Sequence, residues 1–122
     1  MKKLYIILFI LPLLFSCNDF KSAFLIGVTE ELNKECPMFV DEGIILINCL
    51  SSSNFLIYNY ELDTKNYEFN FNDEVDYQEE LNVYCTHPDF EEFRFFNVGV
   101  IRVYKDKNGL VMQEFKLQKS DC

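Results

Sequence analysis

Five cysteines, one histidine and twenty carboxylates are the groups through which this 122-residue chain could do chemistry. The histidine, His87, stands in Cys85-Thr86-His87-Pro88. A hydrolytic triad needs a base beside a nucleophile, and a single histidine in a Cys-x-His-Pro turn reads as a satisfied or solvent-facing turn residue before it reads as a base. Zinc sites use paired short spacings of thiols and imidazoles, which Cys85-Thr86-His87 lacks. Carboxylates for acid and base work are plentiful, above all Asp73, Glu74, Asp76, Glu79 and Glu80. In a chain with twenty acids such pairs arise by chance, and the separation that glycosidase chemistry needs is a tertiary quantity. There is no phosphate-cradling Gly-rich loop, EF-hand pattern or CxxC pair. The expectation is a protein that is not an enzyme and uses no cofactor and no metal.

Lys2 and Lys3 open the chain, and an apolar run from Leu4 to Phe15 follows, interrupted by Pro12. That run is shorter than the roughly 20 residues of a spanning helix and reads as a secretory signal. At its end, Leu14-Phe15-Ser16-Cys17 resembles the lipobox of bacterial lipoprotein signal peptides. The resemblance implies removal of residues 1–16, acylation of Cys17 and a membrane-held protein of the cell envelope. Asn18 stands where some inner-membrane lipoproteins carry a retaining Asp, so the resemblance implies the outer membrane. Residues 17–22 then form a lipidated tether, and 23–122 are the right length for a single domain.

Removal of the signal takes two basic residues and no acid. Nine basic and twenty acidic residues remain, a net charge of −11. Such a chain repels phosphate backbones, so nucleic acid is excluded as a partner, and a protein or peptide with a basic surface is favoured. With Cys17 acylated, Cys36, Cys49, Cys85 and Cys122 are left. Outside the cytoplasm four thiols read as up to two disulfides, with three full pairings open.

Apolar spacing predicts a helix over 21–34, where Phe24, Val28 and Leu32 recur, ended by Pro37. Strands are expected at 43–50, at 55–62 with Leu56, Tyr58, Tyr60 and Leu62 on one face, and at Tyr67, Phe69 and Phe71. A second helix is expected over 73–86, its first turn acidic, then a short helical turn after Pro88. Strands at 95–104 and 110–117 close the chain around Asn108-Gly109. The order predicts an α+β fold: a mainly antiparallel sheet of four to five strands with two helices packed on one face.

Three stretches, Leu32 to Asp41 with its Cys36-Pro37, Tyr58-Asn59-Tyr60-Glu61-Leu62, and Val103 to Gly109, resemble a family of small uncharacterised bacterial secreted proteins and lipoproteins. Its members share a helix, a CPxxVD segment, a YxY strand, a YxDxxG hairpin and a terminal Asp-Cys like Asp121-Cys122. The resemblance implies a Cys85 to Cys122 bond and no defined activity. Cys36 and Cys49 carry the expectation of a second pair.

From Glu61 to Glu92 eleven acids face Lys65 alone, interleaved with Tyr67, Phe69, Phe71, Tyr77, Tyr84 and Phe90. The bland reading is a solvated helix face. The functional one is a docking surface centred on Asp73, Glu74, Asp76, Glu79 and Glu80, where charge steers a basic partner and aromatics anchor it. The expected function is a lipid-anchored binding protein, such as an acidic inhibitor or immunity-type protein. The alternative is a structural accessory lipoprotein of an envelope assembly or secretion complex.

Overall fold

The computed structural model describes residues 17–122; the expected signal peptide, residues 1–16, lies outside the described residues. Helix α1 spans Cys17–Glu35 and buries Leu25, with Phe24, Val28 and Leu32 packed on the same core. It begins at Cys17, so the stretch read as a tether is helical. The chain then forms β1 (Met38–Asp41), β2 (Ile44–Ser51) and β3 (Phe55–Leu62), and crosses over through α2 (Asp73–Thr86) and the short α3 (Glu91–Phe95). It finishes with β4 (Gly99–Asp106), β5 (Val111–Leu117) and a 3-10 turn at Lys119–Asp121. Three helices are therefore present among the described residues, where two and a turn were expected.

The five strands lie side by side in chain order. Hairpins make three of the four pairings antiparallel, whereas β3 and β4 run parallel because the helical crossover returns the chain to the end where β3 began. The register places Leu56, Tyr58 and Tyr60 of β3 beside Val100, Arg102 and Tyr104 of β4, and these beside Leu117, Phe115 and Gln113 of β5. With Leu46 and Cys49, this face meets Leu25, Leu81, Tyr84 and Phe93 of the helices in one core. The opposite face leaves Ile45 and Leu50 exposed, beside Phe39 of the edge strand.

Three expectations are corrected. Tyr67, Phe69 and Phe71 do not form a strand: β2 and β4 flank β3 on both sides, so the segment cannot pair with the strand it follows. In this segment Phe69 and Phe71 are half-buried, while Tyr67 is exposed. Phe69 and Phe71 stack at 6.3 Å, Phe71 reaches Tyr104 at 6.2 Å, and Tyr67 lies on Gly43. Gly43 has φ +73°, and a Cβ there would sit 2.6 Å from the Tyr67 ring, so this turn needs glycine twice over. The strand expected from residue 95 starts at Gly99, since Phe95 closes α3 and Asn97, at φ 55°, turns the chain. Met38–Asp41, outside the strand expected over 43–50, is a strand of its own.

Cys36 and Cys49 are not bonded to each other; both are free thiols. Hydrogen bonds fasten the end of α1 to β2 instead. Strand β1 is too short to cover β2 beyond Leu46, which leaves the Cys49 backbone with no strand on that side. The Asn33 carboxamide fills the place of a peptide unit, accepting from Cys49 N at 2.7 Å and donating to Cys49 O at 2.9 Å. Burial, and then the neighbouring Cys36, push the Cys49 thiol up to about 11. Both effects hold it protonated and unreactive.

Candidate functional site

Helix α2 carries the acidic block, and its start is built by reciprocal capping. Asn72 Oδ1 accepts from Val75 N at 3.3 Å while Asp76 Oδ2 accepts from Asn72 N at 2.9 Å. Asp73 accepts from Gln113 Nε2 at 2.5 Å, linking the helix start to β5. Glu80 turns towards the sheet, its Oε2 3.2 Å from Arg102 Nε. The five predicted residues thus share one helix but not one task. Asp73, Asp76 and Glu80 hold the fold together, while Glu74 and Glu79 are exposed and make no hydrogen bond or ion pair with a described residue.

The partner of Glu80 is the feature that sequence reading missed. Arg102 sits mid-strand on the core face of β4, its side chain only 17% exposed. Arg102 Nη1 donates to the Tyr60 hydroxyl at 2.6 Å, and its guanidinium lies 5.1 Å from the Tyr58 ring centroid and 6.0 Å from that of Phe90. Tyr60 stacks on Tyr104 at 4.6 Å. Nε is buried without an aligned acceptor, so its tie to Glu80 is Coulombic and not a hydrogen bond. Burial opposes the Arg102 charge, and Tyr60 and Glu80 outweigh it, so the guanidinium stays charged. Burial, more than any charge, raises the phenols of Tyr58, Tyr60 and Tyr104 above the usual tyrosine value, furthest for Tyr58 and Tyr104. The alternation of β3 put Tyr58 and Tyr60 on this face in advance, and a lone arginine inside an otherwise apolar strand was the available signal for the rest. The cluster contains no free base and no activated nucleophile. Its chemistry is cohesion between α2 and the sheet.

His87 caps a turn: its Nδ1 accepts from Asp89 N at 3.1 Å. Its carbonyl and that of Tyr84 both accept from Arg94 Nη1, at 3.1 and 2.6 Å. Among the described residues no group of three or more His, Cys, Asp or Glu side chains could hold a metal ion. Cys85 and Cys122 form a disulfide with Cα atoms 5.7 Å apart, which pins the C-terminal turn under α2. Cys17 is the first residue of α1.

On the open face of the sheet a shallow groove of about 410 Å³ runs between Ile47, Asn48 and Leu50 of β2, Asn59 and Glu61 of β3, and Lys105. Its floor is fixed by the Asn59 to Asn48 hydrogen bond at 2.8 Å. Mixed polar and aliphatic lining of this kind suits contact with a protein surface better than enclosure of a small molecule.

No family model and no curated protein sequence matches the chain. Solved structures do. A pilotin of the Vibrio vulnificus type 2 secretion system, EpsS, matches with a TM-score of 0.73 at 10% identity, over 87% of this chain and 94% of its own. A secreted protein of Pseudomonas aeruginosa matches with a TM-score of 0.74 at 13% identity, over 88% of this chain and 97% of its own. The type II secretion pilotin AspS of Vibrio cholerae matches with a TM-score of 0.68 at 11% identity, over 87% and 95%. At these identities the likeness is one of fold.

Proposed function

We propose that this chain is a lipid-anchored accessory protein of a secretion or assembly complex in the bacterial envelope, of the same general kind as the two pilotins whose fold it shares. The observation that carries the reading is that shared fold, extending over 87% of the chain in both cases. The lipobox-like Leu14-Phe15-Ser16-Cys17 supports an anchor on Cys17, with two or more acyl chains, palmitate among them, holding the protein at the outer membrane. Its task is to hold a protein partner, not to turn over a substrate. The acidic inhibitor reading drew on five carboxylates. With three of them engaged inside the fold, Glu74 and Glu79 are what α2 offers to a basic partner, and the accessory reading is the better supported.

Crosslinking of the lipidated protein in intact envelopes, followed by identification of what it holds, tests the reading. The expected capture is a membrane-embedded secretion or assembly component, and Cys17→Ser is expected to release the protein from membranes and displace that component. Intact-mass analysis finding an unmodified chain in the soluble fraction would remove the anchor. Capture of a basic secreted toxin or enzyme alone would restore the inhibitor reading.

A further inference from the structure

The end of the molecule at which α1 starts bears a string of phenylalanines. Phe20 and Phe24 lie one turn apart on α1; Phe24 stacks on Phe96 at 5.0 Å, and Phe96 meets Phe95 edge-on at 5.1 Å. The inner members, Phe24 and Phe96, pack on the core. The outer ones reach the surface: Phe95 is 79% exposed, the most of any large hydrophobic side chain among the described residues, and Phe20 is 54% exposed. Both rings belong to the end that holds Cys17, since Phe20 follows it by three residues, about 4.5 Å along a helix.

The rest of the fold is oriented with respect to this end. Lys21 Nζ bonds Asn54 Oδ1 at 2.8 Å, and Asn54 O accepts from Gly99 N at 2.8 Å, so the first turns of α1, the β2–β3 turn and the start of β4 are neighbours. From there β3 and β4 run in parallel for eight residues each, about 26 Å, to the end that carries the β4–β5 hairpin. The acidic start of α2, tied by Asp73 to Gln113, lies towards that far end, because Gln113 pairs with Tyr104.

We infer that the Phe95 end is seated in the membrane interface, with the Phe95 and Phe20 rings in the headgroup and acyl boundary beside the lipid on Cys17. The inference rests on the acylation of Cys17 proposed above. Aromatic rings are favoured at that depth, and a lipid attached within a turn of Phe20 brings the bilayer to them. Docked this way, α1 stands directly on its anchor with no tether between, and the acidic start of α2 lies away from the anionic membrane surface. The bilayer thereby fixes which side of the domain meets its partner.

The chain contains no tryptophan, so Phe95→Trp introduces a single indole reporter. Leu110→Trp, at an exposed position beside the β4–β5 hairpin, serves as the comparison. Each lipidated variant is reconstituted into vesicles of phosphatidylethanolamine and phosphatidylglycerol with brominated acyl chains. The expected result is blue-shifted emission from Phe95→Trp, quenched several-fold more strongly than that from Leu110→Trp. Flotation with the vesicles but no quenching at position 95 overturns the inference and leaves the anchor standing. A blue shift without quenching assigns Phe95 to a second copy of the chain and likewise overturns it. Failure to float removes the anchor and the inference with it.

Discussion

Arg102 keeps a full positive charge inside the core face of a strand, and the residues around it are chosen by that fact. Glu80 supplies the opposite charge, Tyr60 a hydroxyl acceptor, and Tyr58 and Phe90 ring faces. Breaking a buried ion pair by removing one partner costs about 3–5 kcal/mol, and water reaching Glu80, 31% exposed, lowers that to about 1–2 kcal/mol here. Glu80→Gln is expected to lose that much in urea unfolding, while Arg102→Met combined with Glu80→Gln recovers most of it. A double variant weaker than the single one would show that the charge itself is not the liability. The phenols give a second prediction. Burial raises the folded-state pKa of Tyr58, Tyr60 and Tyr104 above the unfolded value near 10, so their contribution is complete below pH 10 and is lost as pH rises through the folded values. Above pH 10 each such group should lower stability by about 1.4 kcal/mol per pH unit. Ultraviolet titration should show these three phenols ionising only as the protein unfolds; reversible ionisation near pH 10 in the folded state would contradict it.

At the level of elements, the joints between helices and sheet are polar or covalent devices set at places where strand pairing runs out. Asn33 closes the stretch of β2 that β1 does not reach. Asn33→Ala leaves the Cys49 N–H and C=O without their partner and should cost about 1–3 kcal/mol, with faster hydrogen exchange at Cys49 as the local sign. The Cys85 to Cys122 bond closes a separation of 37 residues between α2 and the C-terminal turn. Its replacement by Cys85→Ser and Cys122→Ser together should cost about 2–4 kcal/mol, read as a lower denaturation midpoint. Near-wild-type stability of that variant would mean that Tyr77, whose hydroxyl donates to Asp121 at 3.5 Å, and the packing of the turn suffice alone. Between strands the fit is steric: at Gly99 a Cβ would lie 2.7 Å from Leu117 O and clash with the edge of the Phe55 ring.

The whole molecule has two unlike ends and two unlike faces. Cys17, Phe20 and Phe95 mark one end and the acids at the start of α2 lie towards the other, while helices cover one face and the shallow groove lies on the other. A partner drawn by Glu74 and Glu79 should be steered over a Debye length of about 8 Å at physiological ionic strength. Glu74→Lys with Glu79→Lys is therefore expected to slow association with the captured component several-fold and change its dissociation little, with the difference shrinking as salt rises. An unchanged association rate would reduce α2 to a solvated face and move the contact to the open side of the sheet.

Local pattern alone determined much of this. Period-two alternation placed β3 residue for residue and separated its two faces, because a half-buried strand shows one set of side chains to the core and the other to water. Asn108-Gly109 placed the last hairpin, and the acidic first turn placed α2. Tertiary structure decided what depends on who sits beside whom. Tyr67, Phe69 and Phe71 have strand periodicity yet form no strand, because a hairpin with β3 needs an open side of β3, and β2 and β4 take both. Cys36 and Cys49 were expected to pair, yet both remain free thiols, and Asn33, through the Cys49 backbone, fastens α1 to β2. Five acids adjacent in sequence point in several directions, because successive residues on a helix are about 100° apart, and only packing against Arg102 and Gln113 sorted the ones that hold the fold from the ones left to meet a partner.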